Sequence, residues 1–142
     1  MKTEVVVYLD TSIVLAVVFG QMPAPGYWGR WDRAYVSDLM VTEARRAVDR
    51  LRLDGALDDD GVVAAHDSLR AVEERVESVR LTRRILARAG GSMPVVVKTL
   101  DAIHVATALA LAESRESELS FATLDKRQER AAKASGLALA AA

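Results

Sequence analysis

The run Val5-Val6-Val7-Tyr8-Leu9 is apolar and rich in β-branched residues, and it does not alternate with polar ones. A strand with one wet face alternates with period two, whereas a continuous apolar run of this length suits a strand buried on both faces. Such strands belong to parallel sheets covered by helices on either side. Asp10-Thr11-Ser12 follows at once, then Ile13 to Val18, a polar cap ahead of an apolar stretch that predicts a helix leaving the end of the strand.

The rest of the chain repeats this alternation. Gly20 to Gly29, with Pro23, Pro25 and Gly26, reads as a loop. Ala34 to Ser37 predicts a second strand, and a helix from Ser37 or Asp38 to about Leu53 carries Met40, Ala44, Ala47, Val48 and Leu51 at helical spacing, ended by Gly55. Asp58 to about Glu74 predicts a helix with Val62, Val63, Ala65, Leu69 and Val72 facing inward. Val76 to Leu81 predicts a strand, and Thr82 to Ala89 a short helix stopped by Gly90-Gly91. The helix from Thr99 to about Glu113 is nearly all apolar and is expected at the centre of the fold. Leu119 to Ala122 predicts a strand, Asp125 to Ser135 an amphipathic helix ended by Gly136, and Leu137-Ala138-Leu139 a last edge strand. The expected class is α/β, a three-layer α/β/α sandwich with a mainly parallel central sheet. At 142 residues it forms one domain, residues 1–142.

This topology gives four carboxylates a common address. Asp10 lies at the C-terminal end of the first strand and Asp125 just past that of the strand at Leu119. Glu43 lies in the early turns of the helix leaving the second strand. The helix at Thr99 runs antiparallel to the strand it feeds, so Asp101 in its first turn lies on the same edge. Ligands of open α/β sheets bind at that edge, where the strand order reverses.

Singly, each acid has a bland explanation. Asp10 and Asp125 suit helix caps worth about 1 kcal/mol each, Glu43 a solvated helix face, and Asp101 a first-turn acid favourable to the helix dipole. Asp101 resists that explanation most, because Leu100, Ala102 and Ile103 surround it and a carboxylate near an apolar core needs a partner or a cation. Independent capping does not require one edge, and a metal does. There is no cysteine, and the two histidines are His66 and His104, so an all-oxygen cluster points to Mg²⁺ or Mn²⁺ rather than zinc or iron. His104, one turn beyond Asp101, can approach the site but is equally read as a partly buried structural histidine.

Other features exclude more than they assign. The apolar start ends at Asp10, short of a signal peptide, and nothing approaches the roughly 20 apolar residues that span a bilayer. The cysteine-free composition is compatible with a reducing cytoplasm. Net charge is −1, but four acids drawn into one site leave basic residues in excess elsewhere. Arg45, Arg46, Arg50 and Arg52, then Arg80, Arg83, Arg84 and Arg88, then Lys126, Arg127, Arg130 and Lys133 form helical patches. These read as solvated faces or as contacts to a phosphate backbone. Tyr27, Trp28 and Trp31 suit core packing or a partner interface better than base stacking.

These residues resemble the PIN domain, and specifically its VapC-type toxin branch. Tyr8-Leu9-Asp10-Thr11-Ser12 matches the opening strand with its first acid, and Val41-Thr42-Glu43-Ala44-Arg45-Arg46-Ala47 resembles the helix with the second. Lys98-Thr99-Leu100-Asp101-Ala102-Ile103-His104-Val105-Ala106-Thr107-Ala108 is the most specific match, and Phe121-Ala122-Thr123-Leu124-Asp125-Lys126-Arg127 resembles the closing segment. Gln128 departs from the family, which usually carries an apolar residue there; the change is expected to alter local packing without touching an acid. The resemblance implies a cytoplasmic, metal-dependent endoribonuclease with catalytic Asp10, Glu43, Asp101 and Asp125. Asp10, Asp101 and Asp125 would bind Mg²⁺ or Mn²⁺, with Thr11, Ser12 and Thr123 supporting. It also implies a homodimer, a cognate antitoxin protein and a structured RNA substrate such as tRNA or ribosomal RNA.

Three alternatives remain beside it. A haloacid-dehalogenase-like phosphatase needs a second aspartate where this chain has Ser12. A response-regulator receiver needs an acidic pair near the first strand, which is absent. A PIN scaffold without catalysis, binding RNA or protein, keeps the fold and loses the chemistry.

Overall fold

The computed structural model describes residues 3–115 and 118–141. Its elements are β1 (Val6–Leu9), α1 (Thr11–Val18), β2 (Arg33–Ser37), α2 (Asp38–Leu53), α3 (Asp59–Glu73), β3 (Glu77–Val79), α4 (Arg83–Ala89), α5 (Thr99–Ser114), β4 (Leu119–Ala122), α6 (Lys126–Ala134) and β5 (Ala138–Leu139). The strands form one sheet in the order β3-β2-β1-β4-β5. Every pairing in it is parallel, with Tyr8 beside Tyr35 on one side and Phe121 on the other.

The apolar run that opens the chain is buried on both faces because β1 is the middle strand. Val7 and Leu9 point to one side and join Ala34 and Val36 of β2 under α1, α2 and α3, with Ile13, Met40, Val48 and Leu69 filling that layer. Val6 and Tyr8 point to the other side with Tyr35, Leu119 and Phe121, beneath Val105 and Ala108 of α5 and Ala131 and Ala132 of α6. Helix α4 packs on α5. Ala102 to Ala108 are all buried, which explains why α5 has no polar face over that stretch.

The differences from expectation are local. Val63 is 59% exposed, because it lies about 100° round the helix from Val62, off the stripe that carries Ala65, Leu69 and Val72. Leu100 is 47% exposed, being in the first turn of α5 beside the cleft. The third strand shrinks to Glu77–Val79 at the sheet edge, where only one neighbour pairs with it. Trp28 and Trp31 meet edge to face at 5.3 Å and pack against the α1–α3 core. Among the described residues no helix is long and apolar enough to cross a membrane.

Candidate active site

Strand order reverses between β1 and its two neighbours, since β2 lies to one side and β4 to the other. At the C-terminal ends of these strands Asp10, Glu43, Asp101 and Asp125 line one cleft of about 520 Å³, together with Thr11, Ser12, Arg46 and Arg50. A second cavity of about 490 Å³ meets it at Asp101 and Asp125, and adds Lys98, Lys126 and Arg127.

Two of the acids are caps as well as cleft residues. Asp10 caps α1, accepting from the Ser12 backbone at 3.2 Å, and its Oδ2 also receives the Ser12 hydroxyl at 2.6 Å. The Thr123 hydroxyl stands 3.1 Å from the same oxygen. Asp10 is only 5% exposed, so these donors replace water around a charge that burial would otherwise penalise. Asp125 is exposed and caps α6 through Oδ1, which accepts from the backbones of Arg127 and Gln128 at 2.8 and 3.2 Å.

Glu43 belongs to a hydrogen-bonded chain that the sequence did not announce. His104 is 1% exposed; its Nε2 stands 2.7 Å from Glu43 Oε1 and 3.5 Å from Asp10 Oδ1, and its Nδ1 stands 2.7 Å from the Tyr8 hydroxyl. Thr11 donates to the same Glu43 oxygen at 2.8 Å. Burial alone would lower the His104 pKa, but the bond to Glu43 and the charge of Asp10 outweigh it and hold the imidazole above its usual 6.5. Burial likewise pushes Glu43 up, and the His104 bond, with Thr11, brings it below its usual 4.5. Burial and the nearby Asp10 raise the Tyr8 phenol well above its ordinary value, so it stays protonated.

Asp101 is different. No donor among the described residues is hydrogen-bonded to it, and its pKa is raised first by burial and then by the charges of Asp10 and Asp125. The cleft thus holds negative charge that the protein's own donors leave uncompensated. Among the described residues no three His, Asp or Glu side chains form a ready-made cation cage. A hard cation such as Mg²⁺ needs only one or two carboxylates, with waters and a phosphate completing its shell, so an all-oxygen cleft centred on Asp101 fits it.

Among the described residues the Gln128 side chain touches no acid, yet it does more than fill space. It is fully buried, its backbone N–H bonds Asp125, and its amide meets the Thr123 hydroxyl at 2.7 Å, one hydroxyl away from Asp10. An apolar residue there would keep the volume and lose the link.

A family model of the PIN domain matches residues 7–134. The chain belongs to the PIN-domain family. This PIN domain is 33% identical over 135 residues to Ribonuclease VapC46 of Mycobacterium tuberculosis, covering 95% of this chain and 96% of that protein. Its fold is similar to that of VapBC2 from Rickettsia felis bound to a DNA fragment from their promoter, with TM-score 0.68 at 13% identity over 96% of this chain and 98% of that one. It also resembles PAE2754 from Pyrobaculum aerophilum, with TM-score 0.61 at 18% identity over 92% and 81% of the two chains. The VapC46 match covers nearly the whole of both proteins and places this PIN domain in the VapC-type branch.

Proposed function

We propose that this PIN domain is a divalent-cation-dependent endoribonuclease, the toxin of a toxin–antitoxin pair, acting in the cytoplasm on structured RNA such as tRNA or ribosomal RNA. The observation that carries the reading is the cleft in which Asp10, Glu43, Asp101 and Asp125 converge, with Asp101 uncompensated by any donor among the described residues. Asp10, Asp101 and Asp125 are the residues that would hold Mg²⁺ or Mn²⁺. When bound, the cation would supply Lewis-acid stabilisation of the charge developing on the scissile phosphate and make water a better nucleophile. Glu43, held by His104 and Thr11 through Oε1, is fixed to orient that water with its other oxygen. Ser12 and Thr123 fix Asp10, and Thr11 fixes Glu43, so the acids need little reorganisation when substrate arrives.

The basic residues fit a polyanion. Arg46 and Arg50 come from α2, which follows β2; Lys126 and Arg127 come from α6, which follows β4, with Lys98 beside them. Since β2 and β4 flank β1 on opposite sides, these cations stand on either side of the acids. A strand laid across the cleft has its phosphates held on both walls and one over the carboxylates. The relatives support the remaining partners: VapC46 is named a ribonuclease and the Rickettsia structure is a VapBC assembly. For this chain we infer a cognate antitoxin on that basis, and a homodimer from the VapC-type resemblance alone.

The test is incubation of the purified chain with total RNA in Mn²⁺, in Mg²⁺ and in EDTA. Discrete cleavage products in either metal and none in EDTA are expected. RNA that binds but stays intact in all three points instead to a scaffold without catalysis.

A further inference from the structure

Gln128 is fully buried, and among the described residues its Nε2 has no hydrogen-bond partner. Its amide faces the Thr123 hydroxyl, which sits at a junction. Thr123 Oγ1 is 2.7 Å from Gln128 Oε1, 3.1 Å from Asp10 Oδ2 and 3.3 Å from Ser12 Oγ, and it accepts from the Asp125 backbone N–H at 3.1 Å. A threonine hydroxyl has one proton to give. Asp10 and Gln128 Oε1 cannot both receive it.

An amide has two ends of nearly the same shape, and only one of them resolves the conflict. With Oε1 toward Thr123, the proton goes to Gln128, two lone pairs face each other between Thr123 and Asp10, and a buried NH₂ has no acceptor. With the amide turned over, Nε2 donates to Thr123 Oγ1 and the Thr123 proton goes to Asp10 Oδ2. Asp10 Oδ2 then takes the Ser12 hydroxyl, the Ser12 backbone N–H and Thr123 together, and Asp10 Oδ1 is the oxygen left toward His104 and the cleft. Among the described residues the deficit is then one carbonyl oxygen and one N–H in place of two N–H groups, which is the cheaper of the two.

We propose that Gln128 is a positioning residue for Asp10: its buried amide directs the Thr123 hydroxyl proton onto one carboxylate oxygen and leaves the other to face the cleft. The role rests on the reading of Asp10 as a cation ligand. Residues that orient a ligand from behind typically change metal affinity 10–100-fold when removed, and Gln128 acts one step further back. Thr123→Val should weaken Mn²⁺ binding about tenfold and Gln128→Met about three- to fivefold. Thr123→Ser, which keeps the hydroxyl, should stay within about twofold of the parent.

The deciding experiment is a double-mutant cycle on the full chain, read as Mn²⁺ affinity by calorimetry, with Tm in EDTA recorded for each variant. Gln128→Leu serves as a second apolar replacement should Gln128→Met unfold. If the amide acts through Thr123, Gln128→Met adds nothing in the Thr123→Val background. Mn²⁺ binding that Gln128→Met and Gln128→Leu leave unchanged overturns the proposal, as do losses that multiply in the double variant. A parent chain that binds no Mn²⁺ overturns the metal reading of the cleft and this role with it, so the two failures are told apart.

Discussion

His104 Nε2 and Glu43 Oε1 are 2.7 Å apart, which ties the buried middle of α5 to the helix that carries the second acid of the cleft. The Tyr8 hydroxyl on His104 Nδ1 extends the tie into the central strand. The phenol can donate to a neutral imidazole or accept from a protonated one, so the chain stays bonded in either state of His104. Glu43 is thereby held by a network built on three different elements.

Because the network is buried and shared, its members should act as a unit. His104→Gln is expected to lower the unfolding free energy by about 2 kcal/mol and Tyr8→Phe by about 1 kcal/mol, as removal of buried hydrogen bonds does. Combined with Glu43→Gln, the His104→Gln loss should be clearly less than additive. Urea unfolding of the four chains in the His104–Glu43 cycle, in EDTA, checks this.

The same pair fixes a pH window in the metal-free protein. His104 has a raised pKa in the fold, so its contribution to stability is complete below 6.5 and is lost as pH rises through its higher folded value. Glu43 has a lowered pKa, so its contribution is complete above 4.5 and is lost as pH falls through its lower folded value. Stability from this pair is therefore greatest between 4.5 and 6.5, and it declines outside that window towards each folded value. NMR titration of the imidazole should give a His104 pKa above 6.5 that drops in Glu43→Gln.

Asp101 should carry opposite effects on stability and function. Its carboxyl is raised by burial and by Asp10 and Asp125, so its charged form opposes folding above its folded pKa and the opposition fades as pH falls. At neutral pH in EDTA, Asp101→Asn should melt higher than the parent. With saturating Mn²⁺ the order should reverse, because the variant loses the ion's stabilisation. Thermal melts with and without Mn²⁺ measure both.

The two cationic walls should show in the salt dependence of binding. Affinity for a labelled single-stranded RNA, read by anisotropy in EDTA to prevent cleavage, should weaken as salt rises. Each phosphate that a side chain no longer neutralises lowers the slope by about 0.7. Arg50→Gln and Lys126→Gln should each reduce the slope by about that amount, whereas Arg83→Gln on α4 should leave it unchanged.

Much of the architecture is legible in the chain itself. The non-alternating run at Val5 to Leu9 implies a strand covered on both faces, and β1 is that strand, with Val7 and Leu9 in one layer and Val6 and Tyr8 in the other. The helix starts at Thr11, Asp38 and Thr99 follow from polar residues ahead of apolar spacing. The cap role of Asp10 and its place in the cleft are compatible, because a cap carboxylate sits where a strand hands over to a helix.

The polar network is not legible in the same way. His104 and Tyr8 are 96 positions apart, and only the placement of β1 beneath α5 brings them together. A lone histidine in an apolar helix gives no sign of which carboxylate it faces. Gln128 is visible as a departure from the family, yet its reach to Thr123 depends on the turn that places a buried amide behind β4. Val63 departs from expectation for a plainer reason: composition names a residue apolar, and only helical phase says which way it points.

One cleft is expected both to bind the cation and to perform the cleavage. The most direct measurement is Mn²⁺ calorimetry and RNA cleavage on the same preparations of the parent, Asp10→Asn and Asp101→Asn. The expected result is metal binding and metal-dependent cleavage by the parent, with both sharply reduced in each folded variant. Full metal-dependent cleavage by either variant would contradict the account.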